Sequence, residues 1–310
     1  MSSAQPGIFA TGTRSHYQLE LDVHPSATVE ALTQAISGLR SPTVTAGGAN
    51  IVIGFGASLW GKLASSGDVP DAFADFAPID GLDGHAAPAT QRDVWIWVHG
   101  TGEDIAFDTA RAIVELWSRV AVLALEVPCF VYKDSRDLTG FIDGSANPSV
   151  PEATTVARIP EGQPGAGGSF VLAQKWVHDL GTFHAQSVAE QEGVIGRTKP
   201  DSIEMGDDEK PPTAHIARVE IHAEDGDHAG DELPIFRRST PYGTVHEHGL
   251  YFLAFSRDQA RLDTMLQRMF GTAGDGVRDH LLDFSTAVTG SYFFAPPIEA
   301  LDALVGADGE

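Results

Sequence analysis

The chain has 310 residues, 42% of them hydrophobic, enough to bury a full core in one large domain or two of ordinary size. Its formal net charge of -23 argues against a nucleic-acid backbone or an anionic membrane as partner, because both select clustered Lys and Arg. A single cysteine, Cys129, excludes an intrachain disulfide and any cysteine-built zinc or iron–sulfur site.

The N-terminal stretch carries no apolar signal core, and no later run is long enough to span a bilayer, so the cytoplasm is the expected location. YQLELDV (17–23) alternates as a half-buried strand, and TVEALTQAISGLR (28–40) follows as a helix. ANIVIGFG (49–56) and DVWIWVHG (93–100) read as buried strands. EDIAFDTARAIVELWSRV (103–120) puts Ala106, Ala110, Ile113, Val114 and Trp117 on one helical face, and VAVLALEVPCFVY (120–132) closes the first half as a strand. After the glycine-rich bridge EGQPGAGGS, the alternation restarts with the strand SFVLAQKWVHDL (169–180) and a helix through 182–196. ELPIFRRS and GLYFLAFS (249–256) read as strands, RDQARLDTMLQRMFG (257–271) as an amphipathic helix, and STAVTGSYFFAP (285–296) as a last strand. The expected class is α+β, with two similar halves whose uncovered sheet faces meet or wall a cavity.

Several motifs carry a plain reading. Gly54 and Gly56 are followed by Gly61 rather than by a glycine three residues on, so the dinucleotide spacing fails. HEHG (246–249) lacks the helical zinc-protease spacing and reads as a polar turn. EDGDHAGDEL (224–233) lacks the closing glutamate of a calcium loop and reads as a solvated hairpin. GFIDGSANP (140–148) is built of turn residues, yet it isolates one carboxylate, Asp143. Arg237 and Arg238 in IFRRSTPYG offer it a cationic partner, and adjacent strand residues point to opposite faces, so only one of them can do so. His215, after a double proline in PPTAHIARVEI, sits where a loop enters an ordered segment, a place compatible with metal ligation.

GFIDGSANP matches the GxxDG signature of dye-decolourising haem peroxidases, and the chain resembles their short class B subgroup. Further matches lie at GFGASLW, QKWVHDL, VIGRTK, HIARV, RRSTPYG and LLDFSTAVTGS, so the resemblance spans nearly the whole chain. It implies two tandem ferredoxin-like halves with antiparallel sheets packed together, residues 1–140 and 141–310, and one haem b in the C-terminal half. It also implies Asp143 as distal carboxylate beside Gly144, Arg237 as distal arginine, and Ser239 as their polar neighbour. His215 would be the axial iron ligand, Asp283 the acceptor for its other ring nitrogen, and Arg197 the partner of a haem propionate.

The implied activity is oxidation of dyes, phenols or other one-electron donors by hydrogen peroxide. Asp143 would move a proton between the peroxide oxygens, and Arg237, always protonated, would stabilise developing negative charge. Such an arginine is expected to hold Asp143 ionised at low pH and place the activity optimum there. The competing reading is a haem-handling protein for storage, delivery or iron removal, which needs His215 but not Asp143 or Arg237. The resemblance implies a homo-oligomer, and the short acidic tail LDALVGADGE gives no indication of encapsulation in a protein shell, so none is expected.

Overall fold

The computed structural model describes residues 2–39, 48–223 and 230–306. Residues 224–229 of the acidic hairpin, Arg40 at the end of the first expected helix and 307–310 of the tail therefore lie outside the described residues. Among those described, eight strands form the framework: β1 (Ser15–Val23), β2 (Asn50–Phe55), β3 (Val94–Gly100), β4 (Ala121–Phe130), β5 (Ser169–His178), β6 (Thr240–Gly243), β7 (His248–Ser256) and β8 (Ser291–Ala295). The helices are α1 (Val29–Gly38), α2 (Ala57–Leu63), α3 (Glu103–Trp117), α4 (Val150–Ala157), α5 (Leu180–Ala185), α6 (Val188–Ile195), α7 (His215–Val219), α8 (Gln259–Met269) and α9 (Ile298–Gly306). No helix among the described residues is long and apolar enough to cross a membrane.

The first four strands lie in the order β2-β3-β1-β4 and the last four in the order β8-β5-β7-β6, all antiparallel. These two sheets do more than face each other. They join edge to edge, at Phe55 with Phe294 and at Cys129 with Tyr242, and so close one barrel-like ring. Closure gives the edge strands partners for backbone groups that an open sheet would leave exposed.

Side chains fill the inside of the ring and helices cover much of its outside, which explains why β3 (VWIWVHG) and β8 (SYFFA) are buried at every position. In β3, Trp95 and Trp97 point inward against Val171, Leu253, Phe255 and Phe293. Val94, Ile96 and Val98 point outward into a second core with Ile36 of α1 and Ala110, Ile113 and Trp117 of α3. The inner rings stack at centroid distances of 6.3 Å for Trp95–Trp97 and 6.2 Å for Trp95–Phe293. The plain motif readings also find their place: Gly54 in β2 packs against Phe293 and Trp95, and HEHG leads as a turn into β7.

Three local expectations change. The helix expected through 182–196 is two helices, because Ser187 and Glu190 form a capping box that starts α6 afresh. The last strand is interrupted at Gly290, where a Cβ would stand 2.6 Å from the Pro88 carbonyl oxygen, leaving Ser285–Ala287 as a separate short strand on β5. Helix α4, begun by its own capping box at Ser149 and Glu152, lies in a stretch without an assigned element.

Gly249 sits where β7 passes between β5 and β6, and a Cβ there would meet the Trp176 carbonyl oxygen at 1.9 Å. Gly249→Ala is expected to lower stability by about 3 kcal/mol in urea titrations, as overpacking does. Gly193→Ala, where the added methyl meets nothing within 4 Å on α6, should instead raise it by about 0.5 kcal/mol.

Candidate active site

The motif GFIDGSANP folds as a turn next to the isolated bridge between Arg136 and Ile142. Asp143 donates its backbone N–H to the Ser135 carbonyl at 3.0 Å. Gly144 follows with φ +76°, a left-handed conformation that lets the chain reverse, and Asp143 lines the cavity described below. Asn147 then fixes this turn to the short strand Phe236–Arg237. Its Nδ2 donates to the Arg237 carbonyl at 2.8 Å, and its Oδ1 accepts from the Arg237 N–H at 3.0 Å. A side chain thus takes the place of a neighbouring strand, and Asp143 and Arg237 are held in one wall.

The two arginines separate as alternate strand residues must. Arg237 lines the cavity described below, and its Nε is buried without a hydrogen-bond partner. Arg238 turns the other way, donating to the Ile8 and Ala10 carbonyls at 2.6 and 2.7 Å and lying 4.9 Å from the Trp97 ring. Ser239 also lines the cavity, and its Oγ accepts from the Leu253 N–H at 3.3 Å.

His215 is the first residue of α7, and its Nδ1 bonds Asp279 Oδ2 at 2.6 Å. Asp279 is fully buried, and its other oxygen accepts from the Leu281 N–H at 2.8 Å. This corrects the expectation for Asp283. That residue lies at the far end of the same helical turn, His280–Asp283, and engages His85 at 3.1 Å and Arg278 at 2.9 Å. The sequence held a signal for the right choice: Asp279 directly precedes the turn, the position where aspartate caps backbone N–H groups.

Arg197 reaches the cavity wall already engaged, with Nη2 on Glu204 Oε2 at 2.7 Å and Nη1 on the Ser202 carbonyl at 3.0 Å. One further pair escaped the sequence reading. His178, on the cavity side of β5, bonds Asp137 at 3.2 Å and Ser285 Oγ at 2.8 Å. Burial alone would raise the Asp137 carboxyl, but His178 and Thr139 hold it down at about 2.

These side chains converge on a cavity of about 430 Å³, with Asp143, Arg237, His215 and Arg197 set among apolar residues such as Phe252, Met265 and Met269. A second cavity of about 340 Å³ reaches Asp143 from the barrel end, past Thr13 and His16. Burial pushes the Asp143 carboxyl above its ordinary value; Arg237 pulls it down and the Asp137 charge pushes it further up. The net direction is upward, against the expectation that the arginine keeps Asp143 ionised at low pH. Desolvation outweighs a single neighbouring cation here.

The family models Dyp-type peroxidase, N-terminal, and Dyp-type peroxidase, C-terminal, match residues 5–128 and 134–300. The chain belongs to the dye-decolorizing peroxidase family. A dye-decolorizing peroxidase of Mycolicibacterium paratuberculosis is 38% identical over 92% of this chain and 80% of that protein. DyPB from Rhodococcus jostii RHA1 superposes with a TM-score of 0.86 at 35% identity, covering 94% of each chain. A variant of that DypB in complex with heme superposes with a TM-score of 0.87 at 34% identity, covering 96% of each chain.

Within this family site, Asn147 is the bond between the two halves of the wall. Asn147→Ala leaves the Arg237 N–H and carbonyl without their partner and is expected to cost about 2 kcal/mol in chemical denaturation. Ser145→Ala, which removes only a hydroxyl contact with Ser202, should stay within about 0.5 kcal/mol.

Proposed function

We propose that this haem peroxidase of the dye-decolorizing type reduces hydrogen peroxide with Asp143 as proton carrier, Arg237 as electrostatic stabiliser and His215 as the protein's ligand to the haem iron. The observation that carries the assignment is the convergence of a carboxylate, an arginine with an unpartnered Nε and a histidine backed by a buried aspartate on one apolar-walled cavity. The residues fit the group. His215 has its Nδ1 committed to Asp279, so its Nε2 is the nitrogen left to coordinate a metal. Phe252, Met265 and Met269 suit a flat apolar macrocycle, and Arg197 suits a propionate.

Bound haem supplies the iron that accepts peroxide and the store of oxidising equivalents that reductants such as phenols and dyes then discharge one electron at a time. Asp143, as carboxylate, takes the proton from one peroxide oxygen and returns it to the other, so that water can leave. Arg237 remains protonated and stabilises the negative charge that develops as the O–O bond lengthens. The turn at Gly144 and the Asn147 clip hold the carboxylate in place, so proton transfer needs no loop rearrangement. Asp279 fixes the His215 tautomer and makes its free nitrogen a better donor. Ser239 completes the polar wall beside Arg237.

We divide the chain into two ferredoxin-like halves, 1–140 and 141–310, and assign the haem to the second. In support, each half runs strand order 4-1-3-2 by its own numbering, and the cavity is lined by residues between Ile142 and Ser285. We further assign it to the cytoplasm as a homo-oligomer; the exposed side chains of Val122 and Phe130 on β4 support self-association. A haem-storage protein would have no use for the Asp143–Arg237 pair, and the family assignment favours the enzyme.

Stopped-flow mixing of the haem-loaded protein with hydrogen peroxide tests these roles. Asp143→Ala and Arg237→Leu are each expected to slow the reaction by about 10²-fold or more, and His215→Ala to abolish stable haem binding. Wild-type rates in both distal variants would count against the assignment. Asp279→Asn should change the haem reduction potential and weaken haem retention by about tenfold, whereas Asp283→Asn should leave both near wild type.

The pH profile follows from the sign of the Asp143 shift. The active form is the carboxylate, so the rate falls as pH drops through a pKa lying above the ordinary 3.8. Arg237→Leu removes a cation that favours the charged form, and it should move this acid limb to still higher pH. A limb that moves downward would refute the coupling.

A further inference from the structure

Inside the barrel, away from the haem cavity, Tyr251 and Glu20 form a pair that the peroxide chemistry does not use. Both are fully buried, and the Tyr251 hydroxyl donates to Glu20 Oε1 at 2.8 Å. Tyr251 points inward from β7, while its sequence neighbours Leu250 and Phe252 point outward and line the haem cavity. The strand that carries the phenol on its barrel side therefore forms part of the cavity wall on its other side.

The surroundings of this phenol are easily oxidised. Its hydroxyl adjoins the Trp95 indole, whose Nε1 donates to Gln18 Oε1 at 2.9 Å. Trp95 stacks with Trp97 at 6.3 Å, and Trp97 stacks with His99 at 3.9 Å. A hydrophobic core needs none of these polar atoms, and burying a carboxylate costs stability unless it is well partnered.

We propose that Tyr251 is a redox-active residue that takes an oxidising equivalent from the haem into the barrel interior, with Glu20 as its proton acceptor. The proposal rests on the haem reading above. In the step, Tyr251 gives one electron to haem that peroxide has oxidised, and the haem is reduced by one equivalent. The phenolic O–H bond breaks, a new O–H bond forms on Glu20 Oε1, and a neutral tyrosyl radical remains beside a neutral acid. Later reduction by one electron from an external donor returns the proton to the phenol. Burial and the nearby Glu20 charge both oppose ionisation of Tyr251 on its own, so electron and proton must leave together.

The groups facing Glu20 set when it can accept. Burial pushes its carboxyl up to about 7, opposed by the Tyr251 hydrogen bond, Arg92 and the Ser291 hydroxyl, and reinforced by Asp22. Below that pH Glu20 is already protonated, so radical yield should rise as pH rises through about 7.

Rapid freeze-quench electron paramagnetic resonance on the haem-loaded chain after one equivalent of hydrogen peroxide reads the radical directly. The expected result is a tyrosyl signal that narrows with ring-deuterated tyrosine and disappears in Tyr251→Phe. In Glu20→Gln the signal should fall and lose its pH dependence, which also serves if Tyr251→Phe does not fold. An unchanged tyrosyl signal in Tyr251→Phe, or an unchanged yield and pH dependence in Glu20→Gln, overturns the proposal. If the haem spectrum responds to peroxide but no tyrosyl signal forms, this inference alone falls. If haem does not bind or does not respond, the functional reading falls with it.

Discussion

Closure of the strand ring is the constraint on which everything else rests. Because β2 meets β8 and β4 meets β6, the sheets leave no open edge at either junction, and strands with a core on each side must satisfy two environments at once. Strand β7 shows the consequence. Its inward residues Tyr251, Leu253 and Phe255 fill the barrel, while Leu250 and Phe252 wall the cavity from the other side of the same backbone. One wall of the site is therefore part of the ring itself.

The reactive groups are held by polar contacts that bridge distant parts of the chain. Asn147 ties the Asp143 turn to the strand residue Arg237, ninety positions later, and Asp279 ties the loop before the last short strand to His215. The electrostatics follow from that enclosure. In a chain of net charge -23, Arg237 is kept inside with one nitrogen unpartnered, a costly state for a fold alone and a useful one where charge develops during a reaction. Asp143 shows the balance: burial moves its carboxyl in one direction, the arginine in the other, and burial prevails.

Local sequence made most of the framework legible. Period-two runs such as YQLELDV and apolar runs such as DVWIWVHG gave strands at their expected places, and of the anticipated helical face Ala106, Ala110, Ile113 and Trp117 are buried while Val114 is half-buried. The misses occur where a local device overrides periodicity. Ser187 starts a new helix inside a continuous pattern, and Gly290 interrupts a run that otherwise reads as one strand because the Pro88 carbonyl comes too close for a side chain. The choice of Asp283 over Asp279 failed for a related reason: a short helical turn separates the two, and only its direction decides which one faces His215.

By itself, the sequence determined the identity of the chemical groups and the alternation of strands and helices, because residue type and short-range periodicity are local properties. It also narrowed the arginine able to face Asp143 to one of two adjacent residues, since neighbours on a strand must diverge, and the family resemblance selected Arg237. In the tertiary structure Arg237 faces the cavity while Arg238 donates to the Ile8 and Ala10 carbonyls. Tertiary structure alone decided that two sheets close into one ring, that Asp279 rather than Asp283 backs His215, and that Tyr251 meets Glu20 in the barrel. Each of these depends on contacts between residues far apart in the chain, and on burial that no local window of sequence contains.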